Sequence, residues 1–150
     1  MTEIWRPHVT VAAIIEQAGR FLFVEEQADQ ATVLNQPAGH WEANEKLTEA
    51  AIRETLEETG YHFQPTALIG IYRWPHPDQA IVYLRFAFCG TVLGHDADRK
   101  LDAGILRALW LTPEALRAEI TRHRSPLVIR CLEDYLVGKR YDLALLTHFS

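Results

Sequence analysis

Sulfur and positive charge are both scarce in this chain, and each shortage removes a class of protein. Its 150 residues hold two cysteines, Cys89 and Cys131, without CxxC spacing, so a disulfide framework is excluded. Cys89 ends an apolar run from Leu84 and Cys131 lies in an amphipathic stretch, which points to buried structural thiols and away from nucleophiles or metal ligands. The seven histidines form no HxxxH or HExxH arrangement, and that excludes the usual zinc sites. Lys and Arg number 15 against 20 Asp and Glu, a formal charge of −5. A general nucleic-acid binder would show a basic excess or stripe, and an anionic small substrate would need a cation as a bridge. No apolar run approaches the roughly 18 to 20 residues of a membrane span. Met1 to Pro7 has neither a basic n-region nor an apolar h-region, so a cytoplasmic protein without membrane contact is expected. No repeat, low-complexity tract or linker breaks the chain, and residues 1–150 read as a single domain with no obligate protein partner.

What the chain does contain is an alternation of strand and helix signals. His8 to Ile15 is apolar and β-branched, and Gly19 turns it into a second strand, Phe21 to Glu25. Ala28 to Asn35 follows, and Gln36-Pro37-Ala38-Gly39 breaks regular structure. Leu47 to Thr59 reads as a helix with Leu47, Ala50, Ala51 and Leu56 at its apolar back. Thr66 to Trp74 and Ala80 to Leu93 read as longer strands, and Ile105 to Leu111 as another. Thr112-Pro113 and Ser125-Pro126 are helix-start signals, the second ahead of Leu127 to Val137, and Gly138 closes that helix. The class is α/β, with a helix packed on a mixed sheet.

The densest chemistry lies between Gly39 and Tyr61, which reads GHWEANEKLTEAAIRETLEETGY. On a helix Glu54 stands three residues before Glu57 and four before Glu58, so the three carboxylates share a face. Like charges at that spacing cost roughly 0.2 to 0.5 kcal/mol per pair unless a cation converts repulsion into coordination. Only oxygen ligands are offered, which suits a hard cation, Mg²⁺ first and Mn²⁺ second. Acidic helix faces are ordinarily solvated surface, and Arg53 beside Glu45 and Glu57 would then be simple exposed pairing. Solvation does not explain the flanking glycines. Gly39 reads as a site of close backbone approach or of positive φ, and Gly60 as a C-cap.

These residues resemble the Nudix box, G-x5-E-x7-R-E-U-x-E-E-x-G-U with U a bulky apolar residue. Gly39, Glu45, Arg53, Glu54, Glu57, Glu58 and Gly60 fall in register, Tyr61 fills the last U, and Thr55 departs at the first. Threonine keeps the branched shape and adds a hydroxyl, so a local packing adjustment is expected. The resemblance implies a Nudix-type α/β/α sandwich with a mixed sheet, spanning nearly the whole chain. Asn35-Gln36-Pro37-Ala38-Gly39-His40, Pro7-His8-Val9-Thr10-Val11, Arg124-Ser125-Pro126-Leu127-Val128 and Gly138-Lys139-Arg140-Tyr141 look like the NudJ-type phosphatase branch. That branch acts on nucleoside tri- and diphosphates and on hydroxymethylpyrimidine diphosphate. The alternatives are hydrolysis of ADP-ribose or a dinucleotide polyphosphate, a Nudix-fold nucleotide-binding module without turnover, and a structural partner that uses the acidic helix for protein contacts. The full set of box acids favours the enzyme.

The resemblance also distributes roles. Glu54 and Glu58 are the leading metal ligands, Glu57 joins them or supports them, and the carbonyl of Ala38 or Gly39 completes a site that keeps several waters. Arg53 is structural, a planar fork that fixes Glu45 and holds the loop on the helix. The general base is sought among Asp96, Asp98 and Asp102, with Asp102 preferred and a box glutamate, Glu57 or Glu58, as the alternative. Position 104, an acid in some relatives, is glycine here. His40, Arg73, Trp74 and Tyr83 are candidate substrate contacts. Trp41 replaces the usual apolar residue after the Gly-His pair, where it would alter base stacking or cap the core.

Overall fold

The computed structural model describes residues 2–150. Strands β1 (His8–Gln17), β2 (Arg20–Ala28), β3 (Ala31–Asn35) and β4 (Ala38–His40) precede helix α1 (Leu47–Thr59). Then come β5 (Tyr61–Pro75), β6 (Val82–His95), β7 (Ile105–Leu111), α2 (Pro113–Ala118) and α3 (Leu127–Leu136). The sheet is mixed. β1 runs parallel to β6 and antiparallel to β4, while β6 pairs antiparallel with β5. At its far end β1 turns into β2, which carries β3 on one edge and β7 on the other.

Period-two alternation splits the core into two layers. Val11, Ala13 and Ile15 of β1 join Leu22, Phe63, Leu68 and Phe88 under Leu47, Ala50 and Ala51 of α1. Ile14 of β1 joins Phe21, Phe23, Ile69, Ala87 and Cys89 under Leu116 of α2 and Val128, Cys131 and Leu132 of α3. Helices therefore cover both faces, which is the α/β/α sandwich. Each central strand reads as a nearly unbroken apolar run because both its faces are buried. Both cysteines are free and buried, and burial raises both thiols above their ordinary pKa, which fits a packing role.

Several boundaries differ from the sequence reading. The segment from Ala28 to Asn35 is the end of β2, a tight turn with Asp29 at φ 48, and a new strand from Ala31. Polar residues there belong to a strand edge, which hydropathy does not separate from loop. β5 begins at Tyr61, directly after the helix, and passes through Pro65 by a register shift between Pro65 and Ala67; a proline is tolerated at such an irregularity. Gln36 and Pro37 do interrupt regular structure, but Ala38–His40 then pairs with β1. On α1, Thr55 takes the inward place assigned to Leu56. Thr55 is fully buried and its Oγ1 donates to the Ala51 carbonyl at 2.7 Å, while Leu56 is only half-buried. The i−4 carbonyl satisfies the hydroxyl, so the departure at that position is accommodated without an orphaned polar atom.

Candidate active site

α1 is framed by backbone devices. The Lys46 N–H donates to Glu49 Oε1 at 2.7 Å at its start. At its end Gly60 adopts φ 77 and donates to the Leu56 carbonyl at 2.9 Å, a left-handed cap that glycine takes without strain. Gly39 is different. Its φ is not positive, and a methyl group there would overlap the Glu54 carboxyl. The need for glycine is thus a close approach, made to a box acid.

Arg53 organises the acids. Its Nε and Nη2 donate to Glu45 Oε2 and Oε1 at 3.0 and 2.7 Å, the paired fork that guanidinium geometry favours. Nη1 donates to Glu54 Oε1 and to Glu57 Oε1, both at 2.8 Å, and Nη2 also reaches the His40 carbonyl at 3.0 Å. Glu45 in turn accepts from the Glu42 N–H at 2.9 Å, and its carbonyl accepts from Trp41 Nε1 at 2.7 Å. Trp41 therefore clasps the loop, with the residue 41% exposed. The Arg53 fork is the first cause holding the Glu45 carboxyl below its ordinary pKa, and these carboxylates raise that of Arg53.

The three helix acids do not share one environment. Glu54, Glu57 and Asp102 each bring a carboxylate oxygen within 4.8 Å of the others. Asp102 arrives because its N–H donates to the Glu57 carbonyl at 3.0 Å, with the turn at Gly104 (φ 91) behind it. Glu58 lies outside that trio. It is 9% exposed and accepts the Ala38 N–H at 2.9 Å on Oε1. A side chain one residue beyond Glu57 rotates by about 100° around the helix, which turns Glu58 under the β4 backbone. Burial, then the charges of Glu26, Glu54 and Asp102, push its pKa up to about 9 against the helping Ala38 hydrogen bond. Burial likewise raises Glu54, opposed by Arg53. Of the other acids weighed as a base, Asp96 pairs with His62 Nε2 at 3.0 Å, and Asp98 is not in the trio.

Beside the acids lies a cleft of about 590 Å³. Gly39, His40 and Glu58 line it from the box side, and Trp74 and Tyr83 from β5 and β6. Trp74 and Tyr83 are paired across the strands and stacked, centroids 5.9 Å apart at 19°. His40 Nε2 and His8 Nδ1 share a hydrogen bond at 3.2 Å, and burial, then His8 and Arg124, lower the His40 pKa. Arg73 does not line the cleft. It precedes Trp74 on the same strand, so alternation sends it to the opposite, exposed side. The cationic residues that do line it are Arg85 and Arg124. The signal for Arg85 was present, since it follows Tyr83 by two residues on one strand.

A profile of the NUDIX domain matches residues 5–131, and the chain belongs to the Nudix family and is a Nudix hydrolase. It is 38% identical to phosphatase NudJ of Escherichia coli K12 over 147 residues, 98% of this chain and 95% of that protein. Among solved structures, a NUDIX hydrolase from Nitrosomonas europaea superposes with a TM-score of 0.94 at 50% identity, covering 96% of this chain and 98% of its own. An ADP-ribose pyrophosphatase from Streptococcus suis has a TM-score of 0.68 at 13% identity over 91% and 97% of the two chains, a likeness of fold alone. No described helix is long and apolar enough to cross a membrane.

Two outcomes test this geometry. Arg53→Lys keeps the charge and loses the fork, and it is expected to lower kcat/KM by about 10- to 100-fold, the equivalent of one or two charge-assisted hydrogen bonds; an effect under twofold would refute the organising role. The second concerns Glu58, whose folded pKa near 9 exceeds its ordinary 4.5. A raised acid stabilises the fold fully below its unfolded pKa, and that contribution is lost as pH rises toward the folded one. Metal-free protein in EDTA should therefore lose thermal stability between about pH 5 and pH 9, and Glu58→Gln should flatten the profile across that window.

Proposed function

We propose that this Nudix hydrolase cleaves a phosphoanhydride bond in a nucleoside tri- or diphosphate or in hydroxymethylpyrimidine diphosphate, with Mg²⁺ and alternatively Mn²⁺ as the cofactor. The observation that carries the proposal is the meeting of Glu54, Glu57 and Asp102 next to a cleft walled by Trp74 and Tyr83. Identity to NudJ over nearly the full length of both chains supports the phosphatase reading.

The donor set fits a hard divalent cation: every atom offered is a carboxylate oxygen, and the three lie within 4.8 Å of one another. Glu54 and Glu57 would hold it, with Glu58 and the Gly39 carbonyl as the neighbouring donors. When bound, such a cation neutralises phosphoryl oxygens and lowers the pKa of water beside them. The rest falls to the chain. Arg53 orients Glu54 and Glu57 and keeps their repulsion in check without ligand. Burial favours the protonated form of the Glu58 carboxyl, and Glu58 would have to be ionised to serve as a ligand. Asp102, exposed and next to Glu57, is the proton acceptor for the attacking water. Trp74 and Tyr83 offer aromatic surface to a base or pyrimidine ring, and His40 faces the phosphates from the loop side.

The experiment is a screen of nucleotides and pyrimidine diphosphates with Mg²⁺, measuring orthophosphate and pyrophosphate separately. Turnover that stops in EDTA, together with loss of at least about 100-fold in Glu58→Gln with an unchanged circular dichroism spectrum, is the expected result. Hydrolysis of ADP-ribose or a dinucleotide polyphosphate in preference to these substrates would transfer the assignment to them. Wild-type activity in Glu58→Gln would remove that residue from the site.

A further inference from the structure

Arg85 is a buried charge for which the hydrolytic reading has no task. It lies within β6, is 5% exposed, and lines the cleft. Nη1 donates to Gln36 Oε1 at 2.9 Å and lies 3.7 Å from Cys131 Sγ, and Nη2 donates to Asn35 Oδ1 at 3.0 Å. All three partners are neutral. Arg53, Arg107, Arg122, Arg124 and Arg130 each meet a carboxylate, and among the described residues Arg85 forms no such pair.

A guanidinium removed from water without a counter-charge costs several kcal/mol, and an apolar side chain of similar volume would fill the same space at lower cost. The neutral amides hold the group in place but leave its charge unanswered. Nη1 meets Gln36 and Cys131 and Nη2 uses one hydrogen on Asn35, so among the described residues Nε–H and one hydrogen of Nη2 are left without a partner, and Nε and Nη2 share one edge of the guanidinium plane. That edge is the fork that meets two oxygens of a phosphoryl group.

Sheet register relates this fork to the acids. Arg85 on β6 stands opposite Thr10 of β1, and Thr10 stands opposite His40 of β4. All three line the cleft. His40 follows Gly39, whose backbone rests on Glu54. One cross-strand row thus runs from Arg85 to the edge of the box, spanning two strand spacings or about 10 Å. A polyanionic substrate can be gripped at both ends of such a row.

We propose that the Nε and Nη2 edge of Arg85 binds a phosphoryl group of the substrate, with Asn35 and Gln36 fixing the guanidinium plane. The inference deepens the hydrolytic reading and rests on it for the class of substrate. The same fork could read two acceptors on a nucleobase, but a neutral base would leave the charge uncompensated.

The test has a binding arm and a kinetic arm. Without metal, in EDTA, inorganic pyrophosphate is titrated into wild type and Arg85→Met while thermal denaturation is followed. The midpoint of wild type should rise with pyrophosphate, and that of the variant should not; an equal rise in both overturns the proposal. With Mg²⁺, KM should increase about tenfold or more in the variant, kcat should change less, and the factor should be the same for purine and pyrimidine nucleoside diphosphates. An unchanged KM, or a factor that depends on the base, also overturns it. Should Arg85→Met fail to fold, Arg85→Lys, which keeps the charge without the fork, carries both arms. Failure of every substrate to turn over would sink the hydrolytic reading, while the metal-free titration would still decide Arg85.

Discussion

Crowding carboxylates at the end of a half-buried helix is unfavourable, and in this protein one side chain makes it tolerable. Arg53 contacts Glu45 with a full fork and Glu54 and Glu57 with a single nitrogen. Through Glu45 it also fixes the loop that Trp41 clasps. Loop, helix and acids are consequently one unit, and the position of Gly39 against Glu54 follows from it. The cost of that arrangement appears where Arg53 does not reach: Glu58 is buried, and burial raises its pKa.

The fold places this unit at a seam. α1 packs on one face of the sheet through Ala50 and Ala51, while α3 covers the other through Val128 and Cys131. The cleft opens between them, reaching the box at Gly39 and Glu58 and the α3 side at Arg85. Acidic and cationic ends are thus supplied by opposite layers, and β1 is the strand that joins them, with Thr10 midway. Strands that are apolar on both faces leave few places for polar groups, so each polar residue inside the sheet deserves a reason. Arg85 and Asn35 are buried polar residues at such places, with buried Gln36 just beyond β3.

Much of this was legible in the sequence because it is carried by spacing. The helix from Leu47 to Thr59 and its glycine cap follow from residue intervals within one short segment, where geometry is local, and the Arg53–Glu45 fork is what the box resemblance implies. The Thr112 cap is local too, with Oγ1 accepting the Ala115 N–H at 3.1 Å. What the sequence hid is tertiary. Helical spacing put Glu54, Glu57 and Glu58 together but could not show that the Ala38 N–H of β4 would take up Glu58 and turn it away from Glu57 and Asp102. It gave three aspartates in a loop without showing that the Glu57 carbonyl would draw in Asp102. Arg73 adjoins Trp74 in sequence, but strand alternation separates such neighbours, and the same alternation joins Arg85 to Tyr83.

The proposed hydrolysis requires these carboxylates to bind a divalent cation. Titrating Mn²⁺ into the metal-free protein while following free Mn²⁺ by electron paramagnetic resonance measures it directly, comparing wild type with Glu57→Gln. Saturable binding by wild type and an affinity at least about tenfold weaker in the variant, the loss of one charged ligand, are expected. Equal affinity in the two proteins, or no binding by either, would contradict it.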